Sequence, residues 1–148
     1  MISGKILGVA ALQKRAQKIA DAFEDGRNKA VQESTLAIHR EAIKLIQENT
    51  DGRPDIRYGP KRNVNVSNPG DPPNTDTGRL VQSIKFDFSS EGDVGMVGSN
   101  LKYAAWLEFG TERVAPRPWL STAVENTSKM VGKIFEKWMK KSLEKAVK

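Results

Sequence analysis

The chain of 148 residues is 38% apolar and 28% charged, proportions that suit one folded domain with a modest core and argue against wholesale disorder. It holds no cysteine and one histidine, His39, which excludes disulfides, thiolate zinc sites, cysteine nucleophiles and histidine metal clusters; no apolar run approaches the roughly 20 residues that span a bilayer. A net charge of +6 leaves contact with a polyanion open, although much of the excess lies at the C-terminal end, where lysines also complement a helix dipole.

The opening MISGKILGVAALQKRAQ has a brief apolar stretch, but Gln13, Lys14, Arg15 and Gln17 follow at once in helical phase. It reads as the start of a mature helix rather than a signal peptide, and cytoplasmic synthesis is expected. Residues 9–49 read as helical throughout. Leu12, Ala16, Ile19 and Phe23 recur at spacings of four and three, and the pattern resumes with Ala30 or Val31, Ile38, Ala42 and Leu45. Gly26 weakens such a helix by about 1 kcal/mol relative to alanine, so a kink or break at 25–28 is allowed. Asn49 with Thr50-Asp51-Gly52 marks its stop.

Residues 50–76 change character. Prolines at 54, 60, 69, 72 and 73 remove donors and fix φ, and the stretch reads as an extended loop or arm whose one candidate strand is RNVNVS. Asp76 or Thr77 then caps a short helix with Leu80 and Val81 facing inward. IKFDFSS alternates as a half-buried strand, and VGMVGS is its hairpin partner, with Gly95 and Gly98 marking a bulge or a close backbone approach. Leu101 to Phe109 forms a short helix closed by Gly110. ERVAPRP is a stiff connector, and a last helix runs from about Pro118 to 145. The expectation is a single α+β domain over 1–148: long N-terminal and C-terminal helices packed on a small antiparallel β-sheet, with a long extended arm.

Catalytic constellations are missing. There is no phosphate-binding glycine loop, no HExxH and no GxSxG. Asp71, Asp76, Asp87 and Asp93 are scattered over loops and strand faces, which suits solvated turns better than a metal site or a metal-dependent nuclease. His39 has no recognisable partner. No cofactor is expected and the chain reads as a non-enzyme. Glu108 and Arg117 flank the connector and can form an ion pair that pins it, or each can face a neighbouring subunit. Tyr103, Trp106, Phe109 and Trp119 read as core or subunit interface, in which Trp106, Phe109 and Trp119 clamp the elbow; alternatively they stack bases. Lys137, Lys140, Lys141 and Lys145 are candidate DNA-facing residues. The arm cations Arg53, Arg57, Lys61 and Arg62 join them if the chain is a basic nucleic-acid-binding module.

The order DTGRLVQSI, hairpin, YAAWLEFGTERVAPRPWLSTAV resembles the HK97 gp10-like family of tailed-bacteriophage proteins. Thr77, Gly78, Leu80, Ser83 and Ile84 carry its first block. Tyr103, Ala104, Glu108, Phe109, Gly110 and Thr111 carry the second. Ala115, Pro116, Arg117, Pro118, Trp119 and Leu120 carry the third, with tryptophan where phenylalanine is commoner. The family-like core spans about 77–125. The resemblance implies a structural protein of the virion, made in the bacterial host cytoplasm and built into the neck or tail. It implies a homo-oligomeric ring, expected to be a hexamer, that completes the tail and joins it to the head, or alternatively a tail terminator ring. Partners would be the connector or head-closure protein and the tail tube, with non-specific DNA passage through the lumen and no membrane.

Overall fold

A computed structural model of the chain describes residues 8–48, 50–57 and 62–147. The order is α1 (Val9–Gln47), β1 (Gly52–Arg57), β2 (Arg62–Ser67), α2 (Arg79–Ser83), β3 (Ile84–Phe88), β4 (Gly95–Ser99), α3 (Lys102–Phe109) and α4 (Leu120–Val147). The class is α+β, with long helices at both ends, as the periodicity indicates. Among the described residues no helix is long and apolar enough to cross a membrane.

The two long helices lie antiparallel. Asp25 meets Ser142, Glu33 meets Lys137 and Glu41 meets Asn126, so each step forward along α1 is a step back along α4. Their seam is built from small residues with one large one, Ile134: Gly26, Ala30, Ser34 and Ala42 on α1, and Ala123, Thr127, Ile134 and Ser142 on α4. The hydroxyl of Thr127 is buried there because it donates back to its own helix at Ala123 O, 2.8 Å away. The break allowed at Gly26 does not occur. α1 is continuous, and Gly26 sits where α4 crosses, with the place of a missing Cβ only 3.1 Å from Ser142 Oγ and 3.2 Å from Trp138 O. Glycine is there for close approach, and tertiary packing outweighs its poor helix propensity.

Two separate two-stranded antiparallel sheets form, rather than one. β3 and β4 pair from Ile84↔Ser99 to Phe88↔Gly95 without a bulge, and Gly95 fulfils the other expectation by lying so close to Thr35 of α1 that a Cβ would overlap its hydroxyl. His39 packs its ring against Phe86 at 5.0 Å and lies 3.3 Å from Ile84 O, a packing position on this sheet. The arm is the main departure from the expected loop. β1 pairs with β2 from Gly52↔Ser67 to Arg57↔Arg62, so RNVNVS is a strand but GRPDIR is one too. Pro54 argued against that strand; in a two-stranded ribbon both strands are edges, and an edge tolerates the missing N–H. Lys61 lies outside the described residues.

The core is compact and lies at the C-terminal half of α1. Ala42, Ile46, Leu80, Ile84, Ala104, Trp119 and Ala123 are buried together, with Val81, Tyr103 and Leu107 packed around them. Thus α2, β3, α3 and the first turn of α4 share one apolar centre, which fixes the connector between α3 and α4.

Candidate functional site

The connector is held by two side chains with different jobs. α4 begins after Pro118-Trp119, with no Ser, Thr, Asp or Asn to satisfy its first amides. Glu108 of α3 does so from outside. Its Oε2 accepts from Trp119 N at 2.8 Å and Leu120 N at 2.9 Å, and its Oε1 accepts from Ser121 N at 2.9 Å and from the Ser121 hydroxyl. Burial pushes the Glu108 carboxyl up, but the Ser121 hydroxyl and the amides of Leu120, Ser121 and Trp119 outweigh it and hold it below the ordinary carboxylate range. The positive end of the α4 dipole favours the same ionised state.

Arg117 has other partners. Its Nε donates to Ser67 O at 3.2 Å and its Nη1 to Ala115 O at 3.4 Å, and no ion pair with Glu108 forms among the described residues. The expected Glu108–Arg117 bridge is therefore replaced by two separate clamps. Glu108 locks α3 to α4, and Arg117 locks the elbow to the base of the β-ribbon. Gly70 N donating to Pro116 O at 2.9 Å reinforces the second clamp. Asn74 completes the base: its Oδ1 accepts from Thr50 N at 2.7 Å, and its Nδ2 donates to Thr50 O at 2.9 Å and Asn65 O at 3.1 Å.

The other motif residues shape turns. Gly78 precedes α2 at φ +73°, and Thr77 Oγ1 accepts from Arg79 N at 3.4 Å. Leu80 is buried, and Ser83 Oγ lies 2.7 Å from both Leu80 O and Ser99 Oγ, tying α2 to β4. Gly110 ends α3 at φ +77°, where a side chain would be strained and its Cβ would stand 2.9 Å from Val114 O. Thr111 Oγ1 accepts from Val114 N at 3.1 Å, and Pro118 O accepts from Thr122 Oγ1 at 3.0 Å.

The aromatics divide. Trp119 is 3% exposed, and its Nε1 donates to Ala104 O at 3.3 Å. Trp106 is 56% exposed and Phe109 81%, so the three do not form one clamp. α3 turns Ala104 and Glu108 inward and carries Trp106 and Phe109 outward, as positions on opposite faces of one short helix must. Between the ribbon, α2 and α3 lies a cleft of about 690 Å³, lined by Thr77, Gly78 and Tyr103 and by the arginines 53, 79, 113 and 117.

The lysines of α4 are partly matched. Lys137 Nζ lies 2.6 Å from Glu33 Oε2, an oxygen that also accepts from Trp138 Nε1 at 2.6 Å. These two bonds, Lys137 first, hold the Glu33 carboxyl below its usual range. Lys29, Lys137 and Lys141 stand 5.6, 5.1 and 4.8 Å from the centre of the Trp138 ring. Lys140 and Lys145 are exposed. Among the described residues no group of three or more His, Cys, Asp or Glu is placed to hold a metal ion. Glu108, the buried carboxylate, spends its acceptor capacity on four donors of its own chain, which suits it to holding structure rather than moving protons.

The sequence did not reveal the role of Asn74 or the cap made by Glu108. For Glu108 a signal existed: a helix start lacking its own capping residue, with a glutamate eleven positions earlier across a stiff elbow.

Among protein families, the model of the HK97-gp10-like family, described as "Bacteriophage HK97-gp10, putative tail-component", matches residues 10–110. No curated protein and no solved structure matches the chain.

Proposed function

Because the chain belongs to the HK97-gp10-like family of bacteriophage tail components, we propose that it is a structural subunit of a closed, six-fold ring that completes the tail and joins it to the head. The observation that carries this reading is the outward pair Trp106 and Phe109, presented on a helix that Glu108 immobilises from behind. A large aromatic pair on a rigid support is the chemistry of an interface anchor, because it buries much area with little loss of side-chain freedom. The ribbon of β1 and β2 supports it as well. Among the described residues no third strand joins it, and a neighbouring subunit can add a strand beside β1, whereas Arg117 and Asn74 already hold β2 at Ser67 O and Asn65 O. Heterologous contacts of this kind close into a ring when the rotation between subunits permits. Lys140, Lys141 and Lys145 then supply sequence-independent charge for passing DNA.

The test is electron microscopy of lysates from a phage carrying a nonsense codon early in this gene. Filled heads lying apart from tails of normal length are expected. Tails of uncontrolled length would make the protein the terminator ring, and normal infectious particles would remove it from the neck and tail altogether.

A further inference from the structure

Three cations of the cleft between the ribbon, α2 and α3 lack an acid. Arg53, Arg79 and Arg113 are exposed and form no ion pair among the described residues, while Arg117 engages backbone carbonyls through its Nε and Nη1. Four guanidiniums thus line one space of about 690 Å³. Asp55 and Asp76 share its wall and have partners of their own. Acids in the wall oppose a continuous run of phosphates, whereas discrete carboxylates can be placed between them. A planar guanidinium matches a carboxylate with two parallel hydrogen bonds.

The chain carries the matching part elsewhere. Between Phe86 and Leu101 stand Asp87, Glu91 and Asp93 and no basic residue. The turn that joins β3 to β4 is stiff. Ser89 Oγ donates to Asp93 Oδ1 at 2.6 Å, Gly92 N to Ser89 O at 3.0 Å, and Asn28 Nδ2 to Glu91 O at 3.0 Å. Glu91 is exposed, and its carboxylate has no partner among the described residues. Asn28 touches this turn and Ile46 lines the cleft; both belong to α1, where a rise of about 1.5 Å per residue sets them about 27 Å apart. The turn is therefore out of reach of its own cleft and open to that of another copy.

We propose that the acidic β3–β4 turn of one copy docks in the arginine cleft of the next, with Glu91 among Arg53, Arg79 and Arg113. Each copy gives one turn and one cleft, so the contact is heterologous and runs on from copy to copy until it closes. The inference deepens the ring reading and rests on it for closure into six, while the contact itself does not. Exposed charges are screened by salt, so docking weakens as ionic strength rises.

With no native cysteine, disulfide mapping is direct. Ser90→Cys puts a thiol on the turn and Ala115→Cys one on the cleft wall, both at exposed positions. Under mild oxidation at high protein concentration the mixture is expected to give dimer far faster than either variant alone, and a chain carrying both to give a ladder. Adding Glu91→Arg to the turn partner is expected to cut the yield roughly tenfold or more, and Arg79→Glu with Arg113→Glu in the cleft partner to restore it. Either cysteine variant alone cross-linking as fast as the mixture overturns the proposal. So does a yield that charge reversal leaves unchanged, and so does the absence of the disulfide both in solution and in phage particles built from the double variant. Protection of the Ala115→Cys thiol from a maleimide by duplex DNA, and not by wild-type protein, also overturns it and gives the cleft to phosphate. A ladder from purified chains beside normal particles from the nonsense phage would keep the contact and remove the ring. Particles that need the protein yet never form the 90–115 disulfide would do the reverse.

Discussion

Glu108 gathers four hydrogen bonds at the one point where two helices and an elbow meet, and its ionisation is linked to folding. Its carboxyl is held below the ordinary range in the folded chain, so it contributes stability that is fully present above the ordinary carboxylate pKa and is lost as pH falls through the lowered value. Acid unfolding is expected to begin just below about pH 4.3. Glu108→Gln keeps the size but not the charge and should flatten that dependence while costing about 1.5–3 kcal/mol in denaturant melts at neutral pH, the usual worth of hydrogen bonds to a charged group. An unchanged melt would show that the cap is dispensable. Arg117→Ala removes the clamp on Ser67 O, and faster hydrogen exchange is expected in 52–67 with little change in the global melt. At this scale the sequence was legible in residue type and not in partner. Glu108 and Arg117 stood out as charges beside a stiff connector, and opposite charges suggest each other; the backbone donors and acceptors that they serve carry no letter in a sequence.

Periodicity carried most of the helices, because α1 and α4 are long and one-sided. Their bounds were readable to within about two residues, and β3 and β4 were readable from alternation. The ribbon was half legible. RNVNVS alternates, whereas its partner carries Pro54 and little apolar signal, and pairing is a long-range property that local composition does not reveal. Gly26 was legible as an interruption and misleading as to effect, since the crossing of α4 lies more than a hundred residues away. Gly26→Leu is expected to force the seam apart and cost about 1–3 kcal/mol, measurable by urea unfolding. A neutral result would mean that α1 and α4 slide freely past one another.

Over the whole molecule, the proposed interface predicts that the inward face of α3 serves stability and the outward face assembly. Combining Trp106→Ala with Phe109→Ser should leave the fold and melting temperature of the isolated chain near those of wild type, because both side chains are exposed, yet should abolish complementation of a phage lacking the gene. Full complementation would move the interface elsewhere. The basic face is weaker than the charge count suggests, since Asp25 and Glu33 already oppose Lys29 and Lys137. Binding of the isolated protein to duplex DNA is expected to be weak and gone at moderate salt; tight binding with a steep salt slope would favour a nucleic-acid-binding module.

Pairing of α1 with α4 also orders events in time. The long helix made early in synthesis finds its seam partner only after Leu120–Val147 has left the ribosome, about 5–20 s later at ordinary elongation rates. Until then its apolar stripe is open to chaperones and to other nascent chains. A premature stop before Leu120 therefore leaves α1 without its seam partner, and such a chain is expected to be degraded rather than to accumulate as a shortened subunit.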